Sequence, residues 1–331
     1  MATAAAMCAL LAPRYLTAGP NDLNVWFIDV EGGQSTLFVS PSGQSVLIDT
    51  GWEERDAKRI MDAVKEAGLK QIDYLIVSHY HEDHVGGVPA LSARIPIKNF
   101  IDHGEVVEHS PAAQKLYGDY VKEAAKGNRT IAKPGDKLPV KGVDWTIVSS
   151  NGEFIANPLP GAGQTNPFWA SFQPRRPDAS ENARAVGSVV QFGKFRLADL
   201  ADVTWNKEFE LMCPVNKLGT ADVFVVSHHG MDMSDSPVLV HALRPRVAIT
   251  DNGEKKGGTA EVWSTVHASP GIEDIWQLHF VPPNGRDKNP DENRLANMTA
   301  DPDPGFYLKM IAHSDGHFEI GNQRNGYTKK Y

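Results

Sequence analysis

Three imidazoles and two carboxylates fall within six positions, His79 to His84, in the run Ser78-His79-Tyr80-His81-Glu82-Asp83-His84-Val85-Gly86-Gly87. No other feature constrains the fold of this chain so tightly. Neutral imidazoles and carboxylates are the ligands of Zn²⁺ and related divalent ions. The run follows residues 72–77, an apolar segment that reads as a strand, and in layered α/β folds ligands bind at the C-terminal ends of strands. His79 and His81 lie two apart, so in extended chain they point the same way. Asp83 and His84 are adjacent and diverge unless the chain turns. The simplest reading is two metals, one held by His79 and His81 and the other by Asp83 and His84. Gly86-Gly87 lets the backbone turn tightly around such a site.

His-x-His-x-Asp-His followed by Gly-Gly resembles the signature of the metallo-β-lactamase-fold hydrolases. Three further segments carry the same resemblance. Ile28-Asp29-Val30-Glu31-Gly32-Gly33-Gln34-Ser35, with Val46-Leu47-Ile48-Asp49-Thr50-Gly51, is similar to the opening hairpin of that family. Ala198-Asp199-Leu200 resembles its later Gly-Asp motif. Ser227-His228-His229-Gly230 resembles the His-His-Gly of the branch formed by ComEC-type DNA-uptake proteins and their secreted relatives. Roughly residues 23–280 are covered, with the motifs in the family's order. The resemblance implies an αββα sandwich of two β/α halves with the metal site at the strand ends.

The pattern along the chain agrees with an α/β architecture. Residues 25–29, 36–39 and 46–48 read as short strands, and Ala57, Ile60, Met61, Val64 and Ala67 recur at helical spacing before Gly68. Strands are expected at 97–101, 143–148, 188–192, 195–200, 223–226 and 275–280, and a helix at 111–126. Leu75-Ile76-Val77-Ser78-His79 and Phe224-Val225-Val226-Ser227-His228 share one design, an apolar strand delivering Ser and then His. Two facing halves would bring both ends to one cleft. Residues 151–181 and 282–305 are Pro-rich insertions in a single domain spanning 21–331. Long irregular loops are usually functional or disordered, and the aromatics of the first suggest a loop bordering the mouth of the site.

The resemblance also distributes roles. His79 and His81 ligate the first metal, and Asp83 and His84 the second. Asp199 matches the bridging aspartate, with Asp202 as the alternative. His228 matches the late ligand of the second metal, and His229 is either a ligand or an outer partner. Many relatives carry a further His about twenty residues before the bridging Asp; here Ser180-Glu181-Asn182-Ala183-Arg184 stands, and Asn182 fits the ComEC-type branch. His103 is a reserve ligand, and His279 a candidate substrate contact. The His that some relatives place after Thr250-Asp251-Asn252-Gly253 is absent, where Gly257-Gly258-Thr259 stands.

Two divalent metals lower the pKa of a shared water so that hydroxide exists near neutral pH. Zn²⁺ is the default from His-rich ligation, with Mn²⁺ and Fe open where carboxylates contribute. Asp83 is the expected catalytic residue, orienting the nucleophile and relaying its proton. There is no Gly-x-Ser-x-Gly elbow. The branch resemblance points to a small phosphodiester or phosphate ester, with β-lactam or lactone hydrolysis as the alternative and a non-catalytic metal-binding sensor as a second.

Composition sets outer limits. The chain has 331 residues, 41% hydrophobic and 22% charged, ordinary values for a globular protein. The formal net charge of −8 and the lack of a basic run count against duplex nucleic acid as a partner. Cys8 and Cys213 read as free thiols. Residues 1–12 are Ala-rich and apolar and resemble the core of a signal peptide without its positive start, which leans toward export within a separate N-terminal segment, 1–20. Nothing else reaches the length of a membrane span.

Overall fold

The structure is a computed structural model, and it describes residues 16, 18–299 and 304–331. The expected signal-like segment and Cys8 lie outside the described residues. Among the described residues Cys213 is a free thiol, and no helix is long and apolar enough to cross a membrane.

Two mixed sheets form the molecule. The first is built from β1 (Leu23–Phe27), β2 (Thr36–Val39), β3 (Ser45–Ile48), β4 (Ile72–Ile76), β5 (Ile97–Asp102) and β6 (Asn128–Ile131). The second takes β7 (Lys137–Leu138), β8 (Asp144–Ser150), β9 (Glu153–Phe154), β10 (Gly187–Phe192), β11 (Phe195–Asp199), β12 (Val223–Val225), β13 (Val247–Thr250), β14 (Asp274–His279) and β15 (Leu295–Asn297). The chain then returns to the first sheet with β16 (Leu308–Ala312), β17 (Phe318–Asn322) and β18 (Thr328–Lys330), and β16 pairs antiparallel with β1. This C-terminal return is absent from the sequence reading. β3 to β6 run parallel, as do β11 to β15.

Alternation along the strands explains the layering. In β1, Leu23, Val25 and Phe27 enter the core between the sheets, while Trp26 faces the helices on the outer side. In β12, Val223 and Val225 join the same central core and Phe224 faces outward. Strands buried on both faces read as near-continuous apolar runs, as 72–77 and 223–226 do. The outer face of the first sheet is covered by α1 (Glu54–Glu66), α2 (Glu82–Val85), α3 (Val88–Ser92) and α4 (Pro111–Ala124). The second is covered by α5 (Trp205–Met212), α6 (Pro237–Leu243) and α7 (Ala260–His267). The result is the expected αββα sandwich. α4 starts where its sequence signals it: Ser110 accepts from Ala113 N at 3.1 Å, with Pro111 at the first helical position.

The Pro-rich insertion at 151–181 packs mainly on α5, where Phe172 stacks on Phe209 with ring centroids 4.4 Å apart. Beyond this contact it reaches toward the strand ends: Arg175 bonds the Asp232 carbonyl and Glu261, and the segment closes at Glu181 and Asn182. The second insertion contains β15, so it contributes a strand rather than a wholly irregular loop.

A candidate metal centre at the strand ends

His79 stands three residues beyond β4. The chain stays extended through His81 (φ −70°, ψ 149°) and then turns into α2, which carries Asp83 and His84. That helical turn is what lets two adjacent side chains serve one centre. Gly86 is needed for it, because a Cβ there would lie 1.9 Å from the Trp52 carbonyl oxygen. Across the cleft, β12 ends and the chain reverses at once. His228 (φ 51°) and His229 (φ 56°) both occupy the left-handed region, which non-glycine residues rarely adopt. Two more such residues flank the centre, Asp49 (φ 57°) and Ala201 (φ 48°). Backbone strain of this kind collects at functional sites.

The five imidazoles are arranged alike. Each has one ring nitrogen beside an oxygen and turns the other into the cluster. His84 Nδ1 lies 2.7 Å from Asp49 Oδ2, His81 Nε2 lies 3.0 Å from Glu108 Oε1, and His79 Nδ1 lies 3.0 Å from Ser78 Oγ. His229 Nδ1 lies 3.4 Å from Asp251 Oδ1, and His228 Nδ1 lies 3.4 Å from Ser234 Oγ. When such a ring is neutral, a contact of this kind selects the tautomer whose inward nitrogen is a lone pair. They crowd one another: His79 Nε2 is 3.1 Å from His81 Nδ1, and His84 Nε2 is 3.2 Å from His229 Nε2.

Asp202 stands between the groups. Its Oδ2 lies 3.3 Å from His84 Nε2, 3.4 Å from His228 Nε2 and 3.8 Å from His79 Nε2, and its Oδ1 lies 3.6 Å from His229 Nε2. Asp83 Oδ2 lies 3.2 Å from His84 Nε2 and 3.1 Å from His229 Nε2. Asp83, His84, Asp202 and His229 place ligand atoms all within 4.8 Å of one another. Electrostatics follow from this crowding. Burial alone would raise the carboxyls of Asp83 and Asp202, but the facing histidines, His84 foremost, hold both well below the ordinary carboxylate range. Burial, with His84 beside it, keeps His79 neutral, well below the usual imidazole value. Burial opposes charge on His229 as well, yet Asp202 and Asp251 raise it to about 9.

The donor set suits divalent cations. Asp202 Oδ1 and Asn182 Oδ1 are buried without a hydrogen-bond partner among the described residues, and inward imidazole lone pairs face each other at contact distance. Buried polar atoms are normally satisfied, so these atoms fit an ion-binding role.

Two expected ligands are placed differently from the sequence expectation. Asp199 is not in the cluster: it ends β11, and both its oxygens accept from Gln34 Nε2, at 2.9 and 2.7 Å. Asp202, three residues further on, takes the central position. Its signal was in the backbone, since Ala201 before it holds the left-handed φ that the family's usual Gly would favour. His228 does not face Asp83 and His84; His229 does. His228 points instead toward Asp202 and Asn182, whose Nδ2 lies 3.4 Å from His228 Nε2. His103 lies outside the cluster, with Nε2 2.8 Å from Glu181 Oε2. His279 belongs to a separate group, 2.7 Å from Asp29 Oδ1 and near Glu31. Glu108, Asp251 and Lys256, which touch the cluster from loops, went unread in the sequence because nothing in local spacing marks them.

Comparison with known proteins gives a consistent picture. The family described as the metallo-beta-lactamase superfamily matches residues 28–166, which include His79 to His84 and stop short of Asp202 and the His-His turn. ComE operon protein 3 of Bacillus subtilis (strain 168) is 26% identical over 245 residues, 69% of this chain and 28% of that protein. Hydroxyacylglutathione hydrolase of Stenotrophomonas maltophilia (strain R551-3) is 33% identical over 101 residues, 30% of this chain and 37% of that protein. The chain thus spans well under half the length of these curated relatives. Among solved structures, the metallo-beta-lactamase fold protein YhfI from Bacillus subtilis is similar, with a TM-score of 0.48 and 12% identity, covering 78% of this chain and 96% of that one.

Proposed function

We propose that the chain is a metal-dependent hydrolase of the metallo-beta-lactamase superfamily, whose model matches residues 28–166, and that it acts on phosphodiesters or phosphate esters. The observation that carries the hydrolase reading is the set of five imidazoles: His79, His84, His228 and His229 each turn one nitrogen toward Asp83 or Asp202, and His81 turns one toward His79 Nε2. The phosphoester assignment rests on the Ser227-His228-His229-Gly230 pattern. ComE operon protein 3 aligns with 69% of this chain and hydroxyacylglutathione hydrolase with 30%, so the longer similarity runs to a protein of the branch that this pattern resembles.

In this reading, His79 and His81 would hold one divalent ion, with His228 and Asn182 beside them. Asp83, His84 and His229 would hold a second, and Asp202 lies between the two groups. Zn²⁺ is the first choice, with Mn²⁺ or Fe as alternatives. Bound there, the ions supply an acidified water and Lewis-acid polarisation of the attacked oxygen. The protein's own contribution is positioning. Asp49, Glu108 and Asp251 fix ring orientation from outside. Asp83, held ionised by the facing histidines and paired with Lys256, orients the nucleophile and receives its proton.

The test is hydrolysis of bis(p-nitrophenyl) phosphate by Zn²⁺- and Mn²⁺-loaded protein, with Asp83→Ala as the blank. Turnover that the variant loses is the expected result. Inertness toward the diester, with turnover of nitrocefin or a simple lactone, would transfer the assignment to β-lactam or lactone hydrolysis. Metal binding with no turnover of any of them would leave a sensor of the same fold.

A further inference from the structure

Lys256 directly precedes Gly257-Gly258-Thr259, the stretch where some relatives place a late His, and the structure brings it to the metal cluster. Its ammonium pairs with Asp83 Oδ2 and lies 4.8 Å from the centre of the Trp52 ring. Its side chain retains 27% exposure, so it stands at the rim and is open to solvent.

The backbone that carries it is fixed on both sides. Gly253 N donates to Lys256 O at 2.8 Å, closing a tight turn, and Gly258 N donates to His229 O at 2.8 Å. Thr259 N donates to Gly230 O at 2.9 Å, so this loop is stitched to the His-His turn. Gly257 (φ +81°) makes that docking possible, because a Cβ there would lie 2.1 Å from His229 O. A long side chain with a charged end is thereby anchored at its root beside the cluster, with an aromatic face beneath it. Lysine over an aromatic ring keeps its charge available to a further anion.

We propose that Lys256 is a specificity-determining residue that binds an anionic oxygen of the substrate, phosphoryl or carboxylate, at the Trp52 side of the metal centre. The inference rests on the hydrolase reading and narrows its substrates to anionic esters. Asp83 offers the ammonium one partner in the free protein. An anion entering over Trp52, beside the part-exposed Lys256 side chain, offers it another. A neutral ester would leave the ammonium without this contact.

The experiment uses metal-loaded protein and two probes, inorganic phosphate and acetate, titrated by calorimetry against wild type, Lys256→Met and Lys256→Arg. Met preserves the stem that packs by Gly32 and Trp52; Arg restores the charge. Metal content is measured in parallel. One charge-assisted contact predicts phosphate or acetate binding weaker by roughly tenfold or more in Lys256→Met. Partial recovery is expected in Lys256→Arg, with metal content unchanged in both. The probe whose binding suffers more names the anion. Unaltered binding of both probes by Lys256→Met would overturn the proposal. So would loss of metal from that variant, which would make Lys256 a keeper of the metal site. Because the readout is binding, a wild-type protein that shows the Lys256-dependent contact yet turns over neither the diester, nitrocefin nor a lactone sinks the hydrolase reading and leaves the anion contact standing.

Discussion

Two strands deliver Ser and then His to the same cleft, and they do so by different means. Beyond β4 the backbone is ordinary: an extended stretch places His79 and His81, and one turn of helix places Asp83 and His84. Beyond β12 the backbone is strained: consecutive left-handed residues put two imidazoles into two positions. Each such residue costs on the order of 1–3 kcal/mol and persists only when its surroundings over-determine it. Those surroundings are visible. Ser227 N donates to Asp235 Oδ1 at 3.0 Å, His228 N to Ala201 O at 3.0 Å, and Gly258 N to His229 O at 2.8 Å. The first end spreads its ligands along the chain, whereas the second depends on three other loops to aim them.

The largest expected effect falls on the residue between the two ends. Asp202→Ala should strip metal from both groups and abolish diester turnover, a loss beyond the roughly 100-fold that removal of an outer partner brings. Asp199→Asn should keep its metals. Metal analysis of the two purified variants decides this, and full metal content in Asp202→Ala would return the bridging role to Asp199. The next effect separates the neighbouring histidines. His229→Ala should lose the ion shared with Asp83 and His84, while His228→Ala should weaken the ion on the His79 side. Identical metal losses in the two variants would erase the distinction between them.

The same contrast explains what could be read from the sequence. His79, His81, Asp83 and His84 are legible because period-two spacing and a nearby Gly-Gly survive without knowledge of packing. The αββα layering is implied by the family resemblance, and the strands that are apolar throughout agree with it because they are buried on both faces. Asp202 and His229 are a different matter. Spacing places Asp199 at the end of an apolar strand, and β11 does end there, but both its oxygens face Gln34. Choosing Asp202 required knowing that Ala201 adopts a left-handed φ, and choosing His229 required knowing that the chain turns left-handed at His228, three residues beyond β12. Neither is encoded by a Gly, the usual local sign of such a conformation. The C-terminal strands β16 to β18 escaped for another reason: their partner, β1, lies at the opposite end of the chain.

A subtler comparison concerns the carboxylates behind the rings. Asp49 lies 2.7 Å from His84 and belongs to the first end, while Asp251 lies 3.4 Å from His229 and belongs to the second. Outer partners of metal-bound imidazoles are worth about 10–100-fold in metal affinity. Asp49→Asn should fall near the upper limit and Asp251→Asn near the lower, read by competition with a chelator. The reverse order would mean that the strained turn, rather than the ordinary one, relies more on its carboxylate.

The smallest expected effect tests whether Asp199 is a structural group at all. Burial lifts its carboxyl to about 7, although the Gln34 amide pulls it down. An unfolded aspartate loses its proton near 3.9. Between these values the unfolded chain holds fewer protons than the folded one, so this group's contribution makes stability fall as pH rises from about 4 to about 7, and then level off. Asparagine cannot ionise but still offers Gln34 an oxygen. In metal-stripped protein, the urea midpoint of wild type should therefore drop relative to Asp199→Asn between pH 5 and pH 7.5. Parallel pH profiles would show that Asp199 is ionised throughout this range. A buried carboxylate in that state would call for a cation beside Gln34, and would reopen the choice between Asp199 and Asp202.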